Sequence, residues 1–396
     1  MKQFLEGSHA VAQIIKLCKP GVISAYPITP QTHIVEDLAQ IVADGELNSQ
    51  FVNVESEHSA ASVVLGGSAA GVRVYTASSS QGLILMAEVI FNIAGMRLPI
   101  VLTCANRALS APINIWNDQQ DSISLRDAGW VQLYAENNQE AVDLHLIAYR
   151  LGEDKSVMLP VMVCMDGFIL THGMEVVDMP EQAEVDKFLP AYKPLYKLDP
   201  AEPLSMGLLA DPSCYAETRF ALQETQKEVL SLLPKISAEF CSVFGRDYKD
   251  CLVEEYLTGD AERVIVAMGS VCGTIKRVVD GLRAKGKKVG LLKIISFRPF
   301  PSARIYEALK NIPKVAVLDK AVSLGAQAAP LALEVKAAFF GKKKSPKIIS
   351  SFVAGLGGRD ITIDSVKEIF KKLSAKEVNL EYIDLKEELL KDEYGE

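Results

Sequence analysis

Across residues 21–166, short β-rich apolar runs alternate with segments of helical periodicity, and this rhythm constrains the fold more than any other feature of the chain. The predicted strands are 21–25, 51–54, 72–77, 99–104, 130–134 and 160–165, separated by predicted helices over 32–43, 57–71, 80–94 and 138–151. Alternation of this kind implies right-handed βαβ crossovers and a mainly parallel sheet covered on both faces. Ligand sites then fall at the carboxyl ends of the strands. A second α/β series follows, with strands predicted at 263–267, 289–295, 314–318 and 347–353 and a last strong helix at 363–373. Between the two, residues 175–257 break the rhythm: prolines cluster up to Pro212, and a long amphipathic helix is predicted around 220–244. The reading is three parts: 1–175, a connector or helical subdomain over 176–258, and 259–396.

Composition narrows the function classes. About half of the 396 residues are apolar and the net charge is -8, so no basic stripe exists to neutralise a polyanion, and no nucleic-acid partner is expected. The cationic run at Lys342, Lys343 and Lys344 is short and reads as a solvated turn. Glu6 and His9 interrupt the start of the chain where a signal core would need apolar residues. The most apolar stretch, 82–105, carries Glu88, Asn92, Arg97 and Pro99, which disqualifies it as a membrane span, so a cytoplasmic protein is expected. The seven cysteines show no CxxC spacing and the five histidines no HExxH or other metal pattern, so no cluster or metal site is expected within this chain. Two glycine clusters, 269–273 and 355–358, lack the full GxGxxG with its downstream acid and read as tight strand–helix turns.

Four strand-end segments hold candidate chemistry. In Tyr26-Pro27-Ile28-Thr29-Pro30 the prolines stiffen the loop, so Thr29 is either part of a plain strand–helix turn or a hydroxyl presented to a carboxylate. Glu57, in Glu55-Ser56-Glu57-His58-Ser59-Ala60, falls at a helix N-terminus, where a carboxylate fits a capping role as readily as a catalytic one. The helix after it is rich in Ala and Gly, which permits close approach of another surface. Ser78-Ser79-Ser80-Gln81-Gly82 forms a strand-to-helix turn suited to an anion, a partner or simple capping. The fourth segment, 105–121, sets Arg107 at a strand end ahead of a long irregular polar loop, and a guanidinium there suits a carboxylate as well as a structural contact.

Taken together, YPITP at 26–30, ESEHSA at 55–60, ASSSQGL at 77–83, ANRALSAPINIWNDQQD at 105–121, RDAGW at 126–130, SFRPFP at 296–301 and AGLGGRD at 354–360 resemble the alpha subunit of pyruvate:ferredoxin oxidoreductases. The resemblance spans nearly the whole chain in order. It implies an α/β fold made of a pyrimidine-type thiamine diphosphate-binding parallel-sheet domain and a transketolase C-terminal-like domain. Position by position, it implies that Glu57 hydrogen-bonds the cofactor's aminopyrimidine within a site that includes Pro27, Ile28 and Thr29, and that Thr29 and Arg107 hold the substrate.

The same resemblance implies coenzyme A-dependent oxidative decarboxylation of pyruvate, with electrons passed to ferredoxin. The diphosphate half of such a site needs Gly-Asp-Gly followed by Asn to hold Mg2+, whereas the Asp-Gly pairs here, at Asp44 and Asp166, are preceded by Ala43 and Met165. A beta subunit is therefore expected to supply the magnesium and diphosphate contacts, with [4Fe-4S] clusters in it and in ferredoxin-like and gamma subunits. The alternatives are a sister enzyme for 2-oxoisovalerate, 2-oxoglutarate or oxalate, and a non-catalytic docking subunit. A transketolase-like enzyme complete in one chain is disfavoured by the missing triplet.

Overall fold

The computed structural model describes residues 1–375 and 377–394. It forms two compact units: residues 1–254 with 268–270 and 294–301, and the rest of the described chain.

In the first unit the order is β1 (Lys2–Glu6), α1 (Gly7–Cys18), β2 (Val22–Ser24), α2 (Thr32–Ala43), β3 (Gln50–Val52), α3 (Glu57–Ala69), β4 (Val74–Ser78), α4 (Ser80–Leu85) and α5 (Ala87–Gly95). It continues with β5 (Val101–Asn106), α6 (Gln120–Ser124), β6 (Val131–Tyr134), α7 (Asn138–Gly152), β7 (Val161–Asp166), β8 (Met174–Asp178), α8 (Gln182–Phe188) and α9 (Tyr215–Phe244). Beyond it come β9 (Val253–Tyr256), β10 (Arg263–Met268), α10 (Val271–Arg283), β11 (Val289–Ile294), β12 (Ser296–Arg298), α11 (Ser302–Leu309), β13 (Lys314–Asp319), α12 (Pro330–Phe339), β14 (Ile348–Val353), α13 (Ile363–Ala375), β15 (Glu381–Tyr382) and α14 (Glu387–Tyr394).

Among the described residues, seven strands build the first sheet in the order β12-β6-β7-β5-β4-β2-β3. All of its pairings are parallel except β12 with β6. Every residue of β4, β5 and β7 is buried, as expected of strands covered by helices on both faces. The edge strand β12 comes from the SFRPFP segment, far along the sequence from its neighbours, so the first sheet is completed by residues the sequence pattern assigns to the second series. The predicted helix over 80–94 is two, separated at Met86. An antiparallel ribbon, which the pattern did not reveal, pairs β1 with β8.

Several buried charged groups of this unit are paired. Arg73, just ahead of β4, forks onto Glu153 at 2.5 and 2.7 Å and also donates to the carbonyls of Cys18 and Pro190. Asp143 of α7 takes the Arg246 fork at 2.6 and 2.7 Å and the Tyr248 hydroxyl at 2.7 Å. Burial lowers the His145 pKa to about 4, and this neutral ring bridges Thr103 Oγ1 and the Ala141 carbonyl.

In the second unit the sheet order is β15-β14-β13-β10-β11-β9, and its core joins Ile265, Leu291, Leu318 and Phe352 from strands to Ile275 and Val279 of α10 and Ile369 and Phe370 of α13. Buried Asp319 ends β13 and accepts from the backbone N–H of Leu331, at 2.7 Å, and Ala332, at 3.3 Å, in the first turn of α12. Among the described residues no helix is long and apolar enough to cross a membrane.

Burial raises the Asp319 pKa to about 7, against about 3.9 in an unfolded chain, and the two amide donors oppose the shift. The folded state therefore binds more protons between these values. The contribution is complete below about pH 4 and is lost as pH rises through about 7. Asp319→Asn retains an acceptor for Leu331 N–H without the charge. The stability of the wild type relative to this variant is expected to fall between pH 4 and 7, as read by denaturant unfolding across that range.

Candidate functional site

The loops after β2, β4, β5 and β7 meet at the carboxyl ends of the first sheet, where the doubly wound topology places ligands. The loop after β2 carries Pro27, Ile28 and Thr29. It is anchored by the wholly buried Gln31, whose Nε2 donates 2.8 Å to the Ala77 carbonyl at the end of β4. Gln31 N–H donates to the Ile28 carbonyl at 2.8 Å, closing the turn, and this leaves Thr29 exposed at its crest.

Arg107 follows β5 directly. Its Nη1 donates 2.9 Å to the Thr29 carbonyl and its Nε 2.9 Å to the Asn114 carbonyl, so the guanidinium is nearly buried and spans two loops. Burial holds its pKa below the ordinary guanidinium value, and nearby Asp121 acts in the opposite direction. The Arg107 guanidinium thus meets the main chain of Thr29.

Glu57 is the first residue of α3. Ser56 performs the capping, its Oγ accepting from Ser59 N–H at 3.2 Å, so Glu57 is not needed as the cap. Its side chain lies against Gly82 in α4: a Cβ at Gly82 would stand 2.4 Å from Glu57 Oε1. Glu57 is 7% exposed, and its carboxylate has no hydrogen-bond partner among the described residues. With no donor from the described residues, this carboxylate stays open to a ligand that brings one.

Asp121 links these parts, and the sequence reading passed over it as one more polar residue of the 105–121 segment. It is wholly buried. Its Oδ2 accepts the N–H groups of Ser80 and Arg107, both at 2.9 Å, and its Oδ1 accepts Ser122 N–H at 2.7 Å and Asn106 Nδ2 at 2.8 Å. Burial raises its pKa to about 6, and the hydrogen bonds pull the other way. The turn into α4, the end of β5 and the start of α6 are therefore tied to one group, with Ser80 held at φ 50°. Asp166, ending β7, does similar work, accepting from Ser270 N–H at 3.0 Å and from Gln119 Nε2 at 3.2 Å. The 269–273 glycine cluster is accordingly a tight turn docked on a carboxylate, with Gly269 at φ 76°. Gly167 lets the loops converge, since a Cβ there would lie 2.5 Å from the Asn106 carbonyl and 2.6 Å from Pro30.

A parallel sheet covered by helices, with Glu57, Arg107 and Thr29 gathered at the carboxyl ends of its strands, is an α/β domain of the ligand-binding class. Residues 14–237 match the family described as "Pyruvate flavodoxin/ferredoxin oxidoreductase, thiamine diP-bdg", and residues 261–366 match "Pyruvate:ferredoxin oxidoreductase core domain II". The chain is 51% identical over 384 residues to pyruvate synthase subunit PorA of Methanothermobacter thermautotrophicus, covering 97% of this chain and 98% of that one. It is 44% identical over 370 residues to ketoisovalerate oxidoreductase subunit VorA of Pyrococcus abyssi, covering 93% and 92%.

Among solved structures, a 2-oxoglutarate:ferredoxin oxidoreductase from Magnetococcus marinus has the same fold at a TM-score of 0.71 and 20% identity, with 93% of this chain matching 65% of that longer one. A split-gene transketolase matches at a TM-score of 0.53 and 12% identity, over 93% of this chain and 96% of that one. The chain belongs to the pyruvate flavodoxin/ferredoxin oxidoreductase family. It is one subunit of an oxidoreductase, with a thiamine diphosphate-binding α/β domain followed by the family's core domain II.

Each Asp121 oxygen receives two N–H donors, so an amide nitrogen in place of either one would face two donors. Asp121→Asn is therefore expected to destabilise the protein by about 2 kcal/mol or more and to raise KM through a loosened Arg107. Unfolding curves and steady-state kinetics on the assembled enzyme check the two effects.

Proposed function

We propose that this chain is the alpha subunit of a pyruvate:ferredoxin oxidoreductase, and that it supplies the aminopyrimidine side of a thiamine diphosphate site together with the substrate-binding pair Thr29 and Arg107. The observation that carries this reading is the buried Glu57 carboxylate with no donor among the described residues, set over Gly82, where any side chain would fill the space. A carboxylate accepts only, so it fits a ring nitrogen that carries a hydrogen. Thiamine diphosphate, when bound, supplies the ylid carbon and the electron sink for decarboxylation of a 2-oxoacid.

The protein's own part is to hold and orient. Glu57 accepts the ring N–H and favours the tautomer needed for proton removal, help that typically amounts to about 10²–10⁴-fold. Arg107, fixed through Nε and Nη1, keeps Nη2 for the carboxylate of the 2-oxoacid, and the Thr29 hydroxyl donates to the keto oxygen. Pro27 and Ile28 form the stiff loop beside the cofactor. A beta subunit would hold the diphosphate and Mg2+, with [4Fe-4S] clusters in it and in ferredoxin-like and gamma subunits; ferredoxin would be the electron acceptor and coenzyme A the acyl acceptor. The complex works in the cytoplasm. Pyruvate is favoured because the exposed Thr29 hydroxyl offers a small neutral contact.

Glu57→Gln is expected to leave the complex assembled and to cut kcat by about 10²-fold or more. Viologen reduction with saturating pyruvate and coenzyme A measures this, and wild-type turnover would end the assignment. Arg107→Ala is expected to lower kcat/KM for pyruvate by about 1.5–3 kcal/mol, roughly 10- to 150-fold. A panel of 2-oxoacids on the wild-type complex should give pyruvate the highest kcat/KM, and a higher value for 2-oxoisovalerate would move the assignment to the sister enzyme.

A further inference from the structure

Three segments far apart in sequence bring Glu6, His33 and His172 together: the junction of β1 and α1, the first turn of α2, and the loop between β7 and β8. One potential ligand atom from each lies within 4.8 Å of the other two. We infer that these residues form a site for a divalent cation of the zinc type beside the loop that carries Thr29. Two imidazoles and one carboxylate are a donor set suited to Zn2+ and its neighbours, with a fourth position left for water or a ligand.

The surroundings are those of a supported ligand set. His33 Nδ1 lies 2.6 Å from Glu6 Oε1, while His9 Nε2 stands 3.8 Å from Glu6 Oε2 and is itself paired with Asp37. The Glu6 carboxylate is thus oriented from its far side by a second layer of charged groups. His172 Nδ1 is engaged by Thr171 Oγ1 at 2.8 Å, which leaves Nε2 as the atom for a metal. The His33 and His172 rings are tilted face to face, 4.8 Å between centroids.

All three side chains are half-buried and reachable from solvent. A cavity of about 240 Å³, lined by Thr29, Pro30, Thr32, His33, Glu36 and His172, provides entry and room for the fourth ligand. Bonds of about 2.1 Å set tetrahedral ligands about 3.4 Å apart, so a cation would displace the His33–Glu6 hydrogen bond. The acidic neighbours Glu36 and Asp37 favour a cation there. Sequence spacing gave no sign of such a site because no two of these residues share a helix turn or a short loop.

Equilibrium dialysis of the purified complex against micromolar Zn2+, followed by metal analysis, is the test. The wild type should hold one more zinc per copy of this chain than either His172→Asn or Glu6→Gln. Equal zinc in all three would overturn the inference. Should a variant fail to assemble, acylation of wild-type histidines mapped by mass spectrometry decides the matter. Zn2+ should protect His33 and His172 while leaving His58 reactive, and unchanged labelling at both would reject the site.

Discussion

The carboxylate of Asp121 is the constraint on which the candidate site depends. Taking a charge out of water is costly unless donors surround it, and here four N–H donors from three segments do so. Those donors belong to the turn before α4, the end of β5 and the start of α6, so a single group sets their mutual positions. Arg107 is held at its backbone by Asp121 and at its guanidinium by the Thr29 carbonyl, which passes the same restraint to the loop after β2. Glu57 joins from the other side through its contact with Gly82 in α4.

The opposite end of the first sheet shows how different a structural charge looks. Arg73 and Glu153 are also buried, yet Arg73 donates twice to Glu153 and further to the carbonyls of Cys18 and Pro190. Glu57, equally buried, has no donor among the described residues. The two acids thus differ in what the described residues bring to them.

Much of this was legible from the residues. The parallel sheet, its helices and the placing of candidate residues at strand ends followed from alternation, because strands buried on both faces are mostly apolar. The motif run added the family, and the Arg107 guanidinium proved to meet the main chain of Thr29. Asp121 was not singled out because an acid in an irregular polar loop looks the same whether it faces water or four amides. The ribbon of β1 with β8, and the crossing of Ser296–Arg298 to the first sheet, were hidden because pairing partners distant in sequence leave no periodic trace.

By itself the sequence determined the α/β class, the order of strands and helices, and the absence of the Gly-Asp-Gly triplet that a self-sufficient diphosphate site would need. Local pattern suffices for these, since periodicity, proline and glycine act within a few residues. Only the tertiary structure decided that Ser56 and not Glu57 caps α3, that the carboxylate of Glu57 lacks a protein donor, and that Glu6, His33 and His172 converge. Whether a polar group is satisfied depends on what the folded chain brings to it from afar, and no local pattern records that.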